Sequence, residues 1–497
     1  MHRLVLAVAV LAALSGCTVG PNYATPDVPV PPRFAEAPAA TASGEPPARW
    51  WAQLHDPVLD GLIDRALAGN LDLATAKTRI AGARAQEREA RAAGLPTLDG
   101  SGSLNRIDFS KNAGFSSLAR QFTAGGGGGG SGGGSSGGGS TGGGSSGQGI
   151  ALPGNGITTW SLGLDASWEL DLFGGTRRQV EGARARVAAA EWNVRDLQVS
   201  VAAEVASDYL MLRSLQAQIA VAEVEIARQQ RTLRLITARR QAGLVAELPE
   251  RQQQLQLRDA AAALPQLQAR ARDEIHAIGV LTGDGADALS DTLTPAATIP
   301  QVAFDLPGGL PSDLLRRRPD IRAAERQLAA ATADIGVAVA DLYPKFNLMG
   351  MAQLISTNLA TLFEHASLQT SGTAAVSLPI FDGGRRKGVV AERRAAADEA
   401  LLTYKKTVLT AVQDVEDALA DVQGEQRRND ELKRGVDQAE RAERLALVSF
   451  NAGLTDFQPV LDAQGSLLTN RNALAQSDAT LLTDLARLYK ALGGGWT

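Results

Sequence analysis

The sequence contains little cysteine, histidine or aromatic side chain. Of its 497 residues, one is cysteine, four are histidine and 4% are aromatic. A single cysteine excludes disulfide bonds within the chain. The histidines lie far apart in the sequence, so none is part of a recognisable metal-binding motif or of a motif that activates a nucleophile. The formal net charge of -5 is too mild to suggest nucleic acid as a partner. We therefore predict that the chain is not an enzyme and uses no cofactor for catalysis.

Proline is missing from two long stretches, residues 176–242 and 385–450. Both are rich in Ala, Arg, Glu and Gln, which favours long helices over an ordinary mixed globule. A helix of about 65 residues is roughly 95 Å long at 1.5 Å per residue. Each stretch ends at an Ala-Gly-Leu turn, after which we expect a second helix to run back, over 249–281 and 459–492. The glycines and leucines of these turns are Gly243, Leu244, Gly453 and Leu454.

Ahead of each long helix lies a segment that alternates apolar and polar residues. Residues 160–172 and 373–381 show the period of two that is typical of strands. A strand of about ten residues with one apolar face suits the wall of a membrane barrel, and a half-buried strand of a soluble sheet shows the same alternation.

Each of these strands leads into a glycine pair and two arginines. They are Arg177 and Arg178 in the first copy and Arg385 and Arg386 in the second. Positive charge at a helix start opposes the helix dipole, so helix stability does not explain them. We expect them to line the end of a barrel, to pair across an interface, or simply to be solvated. Trp160 and Trp168 fit either a membrane interface or ordinary packing in the wall.

The order of strands, long helix and returning helix occurs twice, which predicts an internal tandem duplication. Pro96 matches Pro344 after 248 residues, whereas Phe173 matches Phe381 after 208. A Gly/Ser-rich run at 124–149 accounts for most of the difference, since it lengthens the first hairpin. We predict the first repeat at residues 51–295 and the second at 296–497.

The N-terminus has the pattern of a secretory signal peptide over residues 1–16. Its end, Leu14-Ser15-Gly16-Cys17, resembles the bacterial lipobox, whose cysteine becomes the lipidated first residue of the mature protein. Thr18 follows where an aspartate would signal retention at the inner membrane, so this resemblance predicts the cell outer membrane. An ordinary secretory signal with a chance cysteine is the alternative. A proline-rich tether at 17–50 is expected to run extended over a surface.

Each half contributes two strands, so one chain has four. Small barrels need about eight strands, and an open edge in lipid leaves backbone groups unpaired at a cost of several kcal/mol each. The chain must therefore associate: two copies give eight strands and three give twelve. A lipid-anchored periplasmic coiled-coil scaffold without a pore is the alternative, but it does not explain four alternating strands at matched positions.

Four motifs of the chain occur together. They are the lipobox followed by Val19-Gly20-Pro21-Asn22-Tyr23, the block Arg317-Arg318-Pro319-Asp320-Ile321-Arg322-Ala323-Ala324-Glu325, the paired glycine–arginine turns, and Leu461-Asp462-Ala463-Gln464. Over nearly the whole mature chain this combination resembles the outer-membrane efflux proteins of the TolC/OprM type, in the NodT-like lipoprotein branch found with RND pumps.

The resemblance implies an α+β membrane protein that forms a homotrimer. Its twelve-stranded β-barrel, four strands per chain, would cross the outer-membrane lipid and continue into a long periplasmic α-helical barrel. A mixed girdle around that helical barrel would be built from residues 50–68, residues 283–311 and the C-terminal tail.

The same resemblance implies a passive exit duct of a tripartite efflux system. A periplasmic membrane-fusion adaptor would dock on the helix turns at Gly243–Leu244 and Gly453–Leu454, and an inner-membrane RND pump would supply the energy. No cofactor is implied apart from the lipid on Cys17. The substrate stays open between drugs, organic solvents and metal ions. A conduit for type I protein secretion is the rival, but the lipobox and the Val-Gly-Pro-Asn-Tyr tether favour small solutes.

In this family, acidic and aromatic residues near the second turn narrow the pore. Asp456 is the best match, with Phe450 and Phe457 as packing partners. Three copies of Asp456 around an axis would repel one another and attract cations. The chain departs from the family at Thr455, where the acidic residue often stands. The alternative is that Asp456 caps the returning helix ahead of Pro459.

Overall fold

The computed structural model describes residues 18–37, 47–108, 157–300 and 312–496 of the chain. The predicted signal peptide, Cys17 and the Gly/Ser-rich run at 124–149 lie outside these ranges. Within them, no helix is both long and apolar enough to cross a membrane.

Helices account for most of the described chain, and four strands account for the rest of its regular structure. In chain order the main elements are α1 Pro57–Gly69, α2 Leu71–Ala92, β1 Thr97–Ile107, β2 Ile157–Leu170, α3 Gly175–Gln241, α4 Glu247–Thr282, α5 Pro319–Ala340, β3 Lys345–Ser356, β4 Leu368–Ser377, α6 Arg385–Asn451 and α7 Gln458–Ala491. Short helical turns lie at Trp50–Leu54 and Ser290–Leu293.

The chain divides into two compact units. The strand unit, drawn from Met1–Val19, Arg91–Arg177 and Val339–Arg386, holds all four of these strands. The helix unit is drawn from Gly20–Ala90, Arg178–Ala338 and Lys387–Thr497. Both repeats contribute to both units, so the units are not the repeats.

The helices begin and end close to where the sequence indicates. Helices α3 and α6 each have 67 residues, which confirms the two long proline-free helices. Asp56 caps α1 by accepting hydrogen bonds from the backbone N–H groups of Val58 and Leu59, and Asn70 does the same for α2. Side-chain caps of this kind satisfy donors that the first turn of a helix leaves free. Pro319 occupies the first position of α5, as predicted.

The four strands form one antiparallel sheet in the order β1-β2-β3-β4. Its register follows from three ladders, which pair Thr97 with Ser167, Leu348 with Trp168, and Lys345 with Ser377. Even-numbered residues therefore share one face and odd-numbered residues the other. The even face is mostly apolar and the odd face mostly polar, as the alternation predicts.

Strand β4 ends earlier than the sequence suggests. The prediction that the strand reaches Phe381 is wrong for this single chain, because β4 stops at Ser377. Its ladder partner β3 begins at Lys345, opposite Ser377, so nothing lies beside the residues beyond it. Pro379 also lacks the N–H group that a ladder requires. As a result Ile380 is 91% exposed.

The ladders fix how the two repeats correspond. In β1 and β3, Thr97 corresponds to Lys345, 248 residues later, and their partners Ser167 and Ser377 are 210 apart. Helices α3 and α6 keep the same separation of 210. The duplication is confirmed, but the match of Phe173 with Phe381 is wrong by two residues. The two turns are equally long between equivalent residues, but the aromatic residue stands two positions earlier in the second turn than in the first. The stretch between β4 and α6 has seven residues and that between β2 and α3 has four, because β4 ends three residues before the equivalent end of β2.

The described part of the N-terminal tether is held along the helices of the helix unit. The hydroxyls of Tyr23 and Thr25 donate to the Glu325 carboxylate at 3.2 and 3.1 Å. Farther along, the backbone N–H groups of Ala35 and Glu36 donate to Glu416 at 2.8 and 3.0 Å. The extended course that the prolines predict is therefore fixed by specific polar contacts.

The arginine–proline–aspartate block that carries the family resemblance connects three helices through Arg318. Arg318 donates to the carboxylates of Asp320 and Asp414 at 2.8 and 3.0 Å and to the carbonyl of Ala491 at 2.8 Å. It therefore joins the start of α5 to α6 and to the end of α7. Seven residues on, Glu325 is buried and also accepts from Arg326 at 2.5 Å.

Three segments that the resemblance assigns to a girdle pack on the helices. Trp50 stacks on Tyr489 of α7 with ring centroids 5.5 Å apart. In the segment after α4, the carbonyl of Leu293 accepts from Gln216 of α3 at 2.7 Å. At the C-terminus, Trp496 contacts Trp192 of α3 edge to face, with centroids 5.5 Å apart. The described parts of these segments thus lie on α3 and α7.

Acidic side chains lie close together between α3 and α4. Burial first, and the neighbouring Glu274 and Glu204 next, raise the pKa of Asp208 to about 7. The folded chain therefore binds a proton at Asp208 over a pH range in which the unfolded chain has lost it.

We expect Glu325→Gln to loosen the tether. Burial raises the pKa of Glu325, but hydrogen bonds from Arg326, Arg322 and Thr25 outweigh it, so the pKa lies below its usual value. Without the charge, the free energy of unfolding should fall by about 2 kcal/mol, and the amides of residues 20–36 should exchange hydrogen faster. Glu431→Gln, at an exposed pair on α6, is the matched control. Equal exchange in both variants would contradict the role of Glu325.

Asp208 should make stability depend on pH. Because its pKa is raised on folding, its contribution to stability is greatest in acid and is lost as pH rises from about 4 to about 7. We expect Asp208→Asn to unfold at a higher temperature than the unsubstituted protein at pH 8, with little difference at pH 4. Asp437→Asn, at an exposed ion pair, should leave the pH profile unchanged. A profile that Asp208→Asn does not flatten would refute the assignment.

Candidate functional site

The sheet presents two chemically different faces. On the odd-numbered face, hydroxyl groups pair across strands: Ser103 with Ser161 at 2.8 Å and Thr97 with Ser167 at 2.7 Å. The large apolar side chains of the even-numbered face are exposed in the single chain. They include Leu98, Leu104, Leu162, Leu164, Trp168 and Leu348. Such a sheet is suited to a boundary between an aqueous and an apolar environment.

Of the two strand tryptophans, Trp168 has a hydrogen-bonded ring. Its indole N–H donates to the carbonyl of Gly94 at 3.0 Å, while the ring stays partly exposed on the even-numbered face. An apolar ring with a satisfied polar end is the form that tryptophan takes at a boundary between apolar and polar surroundings.

An aspartate caps each long helix, although the two aspartates stand at different places in their turns. Asp171 accepts from the backbone N–H of Arg177 at 2.9 Å, and Asp382 accepts from that of Arg386 at 3.2 Å. Each arginine side chain also approaches the same carboxylate, at 3.4 and 3.5 Å. The aspartates therefore offset the charge that two arginines bring to a helix start.

Arg178 is not the solvated charge that the sequence allowed, because it is 3% exposed. Its guanidinium donates to Glu181 at 2.8 Å and to the side chain of Asn22 in the tether at 2.6 Å. The stem of Arg178 crosses α5 at Gly336, where a Cβ would lie 2.7 Å from its Cγ. Glycine at that point lets the arginine reach the tether.

The turns that join the helix pairs have the same geometry in both repeats. Gly243 and Gly453 both have φ of 73°, in the left-handed region. The N–H of the next residue reaches back five positions, from Leu244 to Arg239 at 2.9 Å and from Leu454 to Ser449 at 3.0 Å. These are Schellman motifs, in which glycine accommodates the positive φ.

The leucine of each turn points away from its own chain. Leu244 is 73% exposed and Leu454 is 77% exposed. In a Schellman motif the residue at this position commonly packs on the last turn of its helix. The two turns therefore present apolar contacts that a partner can cover.

Behind the second turn lies a small apolar cluster, here the tip cluster. It consists of Ile236, Phe450, Phe457 and Val460. Phe450 and Phe457 lie 5.1 Å apart at a tilt of 60°, and both are buried. The structure therefore brings the two predicted aromatic residues into contact, in the core of the tip rather than on its surface.

Arg239 of α3, which sequence reasoning missed, spans this cluster. Its guanidinium lies 4.8 Å from the Phe450 ring centre and donates to the carbonyls of Phe450 and Asn451, both at 3.3 Å. A cation over an aromatic face is favourable, and the last carbonyls of α6 lack helical partners. A basic residue in the last turn of α3 was the available signal, because such residues stabilise helix ends.

Asp456 is exposed beside the tip cluster. The suggestion that it caps the returning helix is wrong, since α7 begins after Phe457 and no side chain caps it. Within the described ranges, the Asp456 carboxylate makes no hydrogen bond or ion pair. Its charge is therefore available at the surface of the tip.

No metal-binding group emerges from the residues that the structure covers. Among them, no cluster of three or more His, Cys, Asp or Glu side chains is placed to hold an ion. His276 lies 3.7 Å from Asp287 at an exposed position.

Comparison with known proteins identifies the family. The profile described as Outer membrane efflux protein matches residues 62–127, 129–284 and 310–494. The chain is 30% identical to nodulation protein T of Rhizobium leguminosarum bv. trifolii, over 97% of this chain and 95% of that protein. It is also 30% identical to the toluene efflux pump outer membrane protein TtgC of Pseudomonas putida, over 100% of this chain and 96% of that one.

Solved structures agree with these relatives. The outer-membrane channel OprN matches with a TM-score of 0.83 at 32% identity, over 97% of this chain and 100% of the other. The outer membrane protein VceC of Vibrio cholerae matches with a TM-score of 0.77 at 25% identity, over 91% and 100%. The matches confirm the predicted α+β fold class and the outer-membrane location. They also confirm that the chain is not an enzyme, because these relatives are efflux channels. The chain belongs to the outer membrane efflux protein family.

Proposed function

We propose that this chain is the exit duct of a tripartite RND-type efflux system and conducts small solutes passively across the outer membrane. The observation that carries the proposal is the four-stranded sheet with one polar face, one apolar face and two open edges. Relatives named as outer membrane proteins of efflux pumps support it. The chain would supply the conduit, while an inner-membrane pump supplies the energy.

The conduit would be completed by a homotrimer. Four strands are too few to close a barrel, whereas three copies supply twelve. The apolar even-numbered face would then contact lipid, and the polar odd-numbered face would line a water-filled lumen. Closure would also pair the backbone groups of β1 and β4, which otherwise cost several kcal/mol each in lipid.

Lipidation at Cys17 would add a second attachment to the membrane. In the strand unit, the N–H of Val19 donates to the carbonyl of Phe173 at 3.1 Å. A Cβ at Gly174 would lie 2.7 Å from the Cγ2 of Thr18, so the chain lies closely against this turn. These contacts hold the residue after Cys17 at the end of β2, where a lipid could enter the same leaflet. In this proposal residues 1–16 are removed and 17–50 form the tether.

A gate would form at the tips of the helix pairs. Three exposed Asp456 side chains around an axis would create a negative ring that attracts cations and narrows the opening by repulsion. Phe450 and Phe457 would hold the tip in shape from inside the tip cluster, together with Arg239. In this arrangement the aromatic residues support the gate and Asp456 provides its charge.

The exposed leucines of the two turns would contact a periplasmic membrane-fusion adaptor. Leu244 and Leu454 have the same backbone setting, held by Gly243 and Gly453. A partner with repeated apolar pockets could therefore bind both turns alike. The substrate is left to the pump in this proposal, since relatives carry names as different as toluene efflux and pyoverdine export.

Assembly and conduction are the first test. Detergent-extracted protein should have three times the mass of one chain, fall to the single-chain mass on boiling, and give small, cation-preferring currents in a planar bilayer. A single chain that leaves the membrane without detergent and conducts nothing would refute the duct and favour a scaffold.

The gate can be tested on the same preparation. Asp456→Ala should raise the conductance and weaken the preference for cations, because the negative ring is lost. Asp462→Ala removes a carboxylate six residues on, which accepts a hydrogen bond from Gln458 at 2.8 Å, and should change neither. If both variants behave alike, Asp456 is not the gate.

A further inference from the structure

A cavity of the helix unit plays no part in the proposed duct. It has a volume of about 340 Å³ and lies between the tether on one side and the helices α5 and α6 on the other. Sites for small molecules in proteins begin at about 300 Å³, so a ligand of modest size fits. Tether residues between Thr25 and Val30 form one wall. The complete binding surface therefore exists only while the tether is docked.

Most of the cavity wall is apolar. Its apolar side chains come from the tether, from the segment before α5, from α5 itself and from α6: Pro26, Val28, Val30, Leu315, Ile321 and Val408. The last three of these are buried. Removing apolar surface from water favours binding in proportion to the area covered. A ligand of this cavity therefore needs an apolar body.

One polar group of the cavity has no partner. Tyr404 of α6 is 8% exposed, and within the described residues its hydroxyl makes no hydrogen bond. Burial first, and the Glu325 carboxylate next, raise the pKa of Tyr404, so the hydroxyl keeps its proton at neutral pH. A buried donor costs free energy unless water or a ligand accepts its hydrogen bond.

Helix packing does not explain this tyrosine. Helices α3 and α6 correspond with a separation of 210 residues, and Val194 of α3 takes the equivalent position. Val194 is also 8% exposed, so an apolar side chain fills the same place in the first repeat. The hydroxyl is therefore specific to the repeat against which the tether lies.

The charges around the hydroxyl favour an anion. The cavity is lined by two cations and two anions, which are Arg316, Arg322, Asp27 and Glu325. Glu325 is already matched, because Arg322 donates to it at 3.1 Å and Arg326, outside the cavity, at 2.5 Å. With Arg326 included, three positive charges face two negative ones. The Arg322 side chain is 44% exposed, so its other N–H groups can bind an acceptor.

We propose that this cavity binds a small amphipathic carboxylate. The hydrocarbon body of the ligand lies against Ile321 and the valines, and its carboxylate accepts hydrogen bonds from the Tyr404 hydroxyl and the Arg322 guanidinium. Because both walls contact the ligand, binding holds the tether on α5 and α6. The site goes beyond the exit duct, since it requires neither conduction nor a gate.

Octanoate is the probe, because it joins a short hydrocarbon chain to one carboxylate. Calorimetric titration of detergent-extracted full-length protein should show one saturable site per chain, after subtraction of the heat from detergent alone. Tyr404→Phe should weaken binding about tenfold, since a hydrogen bond to a charged group is lost. Tyr343→Phe, which removes a hydroxyl outside the cavity, is the matched control and should bind octanoate as the unsubstituted protein does. Octanol should bind at least about tenfold more weakly than octanoate.

Hydrogen exchange gives a second readout on the unsubstituted protein. Octanoate should slow the exchange of the amides between Thr25 and Val30 and leave those of β3 unchanged. Val30→Trp fills the cavity from the tether, whose extended backbone accepts a larger side chain without disturbing a helix. This variant should lose both the binding and the slowing.

Each contrary result would overturn the site for a different reason. Equal binding by Tyr404→Phe and Tyr343→Phe would remove the hydroxyl from it, and slowing that survives Val30→Trp would place the ligand elsewhere. Octanol that binds as tightly as octanoate would indicate a lipid or detergent chain instead of an acid. No saturable binding by the unsubstituted protein would leave the cavity to water. None of these results bears on the duct, which is tested by mass and conductance.

Discussion

The hydrogen-bonding capacity of the sheet's two outer edges is the constraint on which the rest of this structure depends. Strands β2 and β3 have neighbours on both sides, whereas β1 and β4 each present a row of backbone groups to the surroundings. Water can satisfy those groups but hydrocarbon cannot. The alternation of apolar and polar faces suits such a sheet in a membrane, and the proposed association of three copies would pair the open edges.

The helix unit has a continuous apolar core, which includes Trp50, Tyr209 and Ile278. Ion pairs and polar contacts join distant segments around that core. Arg318 joins the start of α5 to α6 and α7, and Glu325 holds the tether. The motif that marks the family in sequence is therefore a set of structural contacts between distant segments.

Features that depend on residues nearby in the sequence were predictable. Features that depend on contacts with a neighbouring strand or a distant segment were not. The two 67-residue helices follow from the absence of proline, and Asp56 and Asn70 act as caps because their side chains reach the next turn. The end of β4 could not be read from its alternation, since a strand ends where its partner does. The burial of Arg178 likewise depends on the distant Asn22.

The same distinction applies to the tip. The contact of Phe450 with Phe457 was predictable because one turn separates them, but Arg239 arrives from another helix 211 residues earlier in the chain. Asp456 was identified as a charged tip residue, and its role at a gate stays a prediction.

The early end of β4 also has a kinetic consequence. Three ladders can form within one chain, so their rates do not depend on how many chains are present. A ladder that needs a second copy is bimolecular, and its rate rises with the density of chains in the membrane. Slow synthesis would therefore lengthen the life of open-edged chains, which is the stage most exposed to wrong pairing.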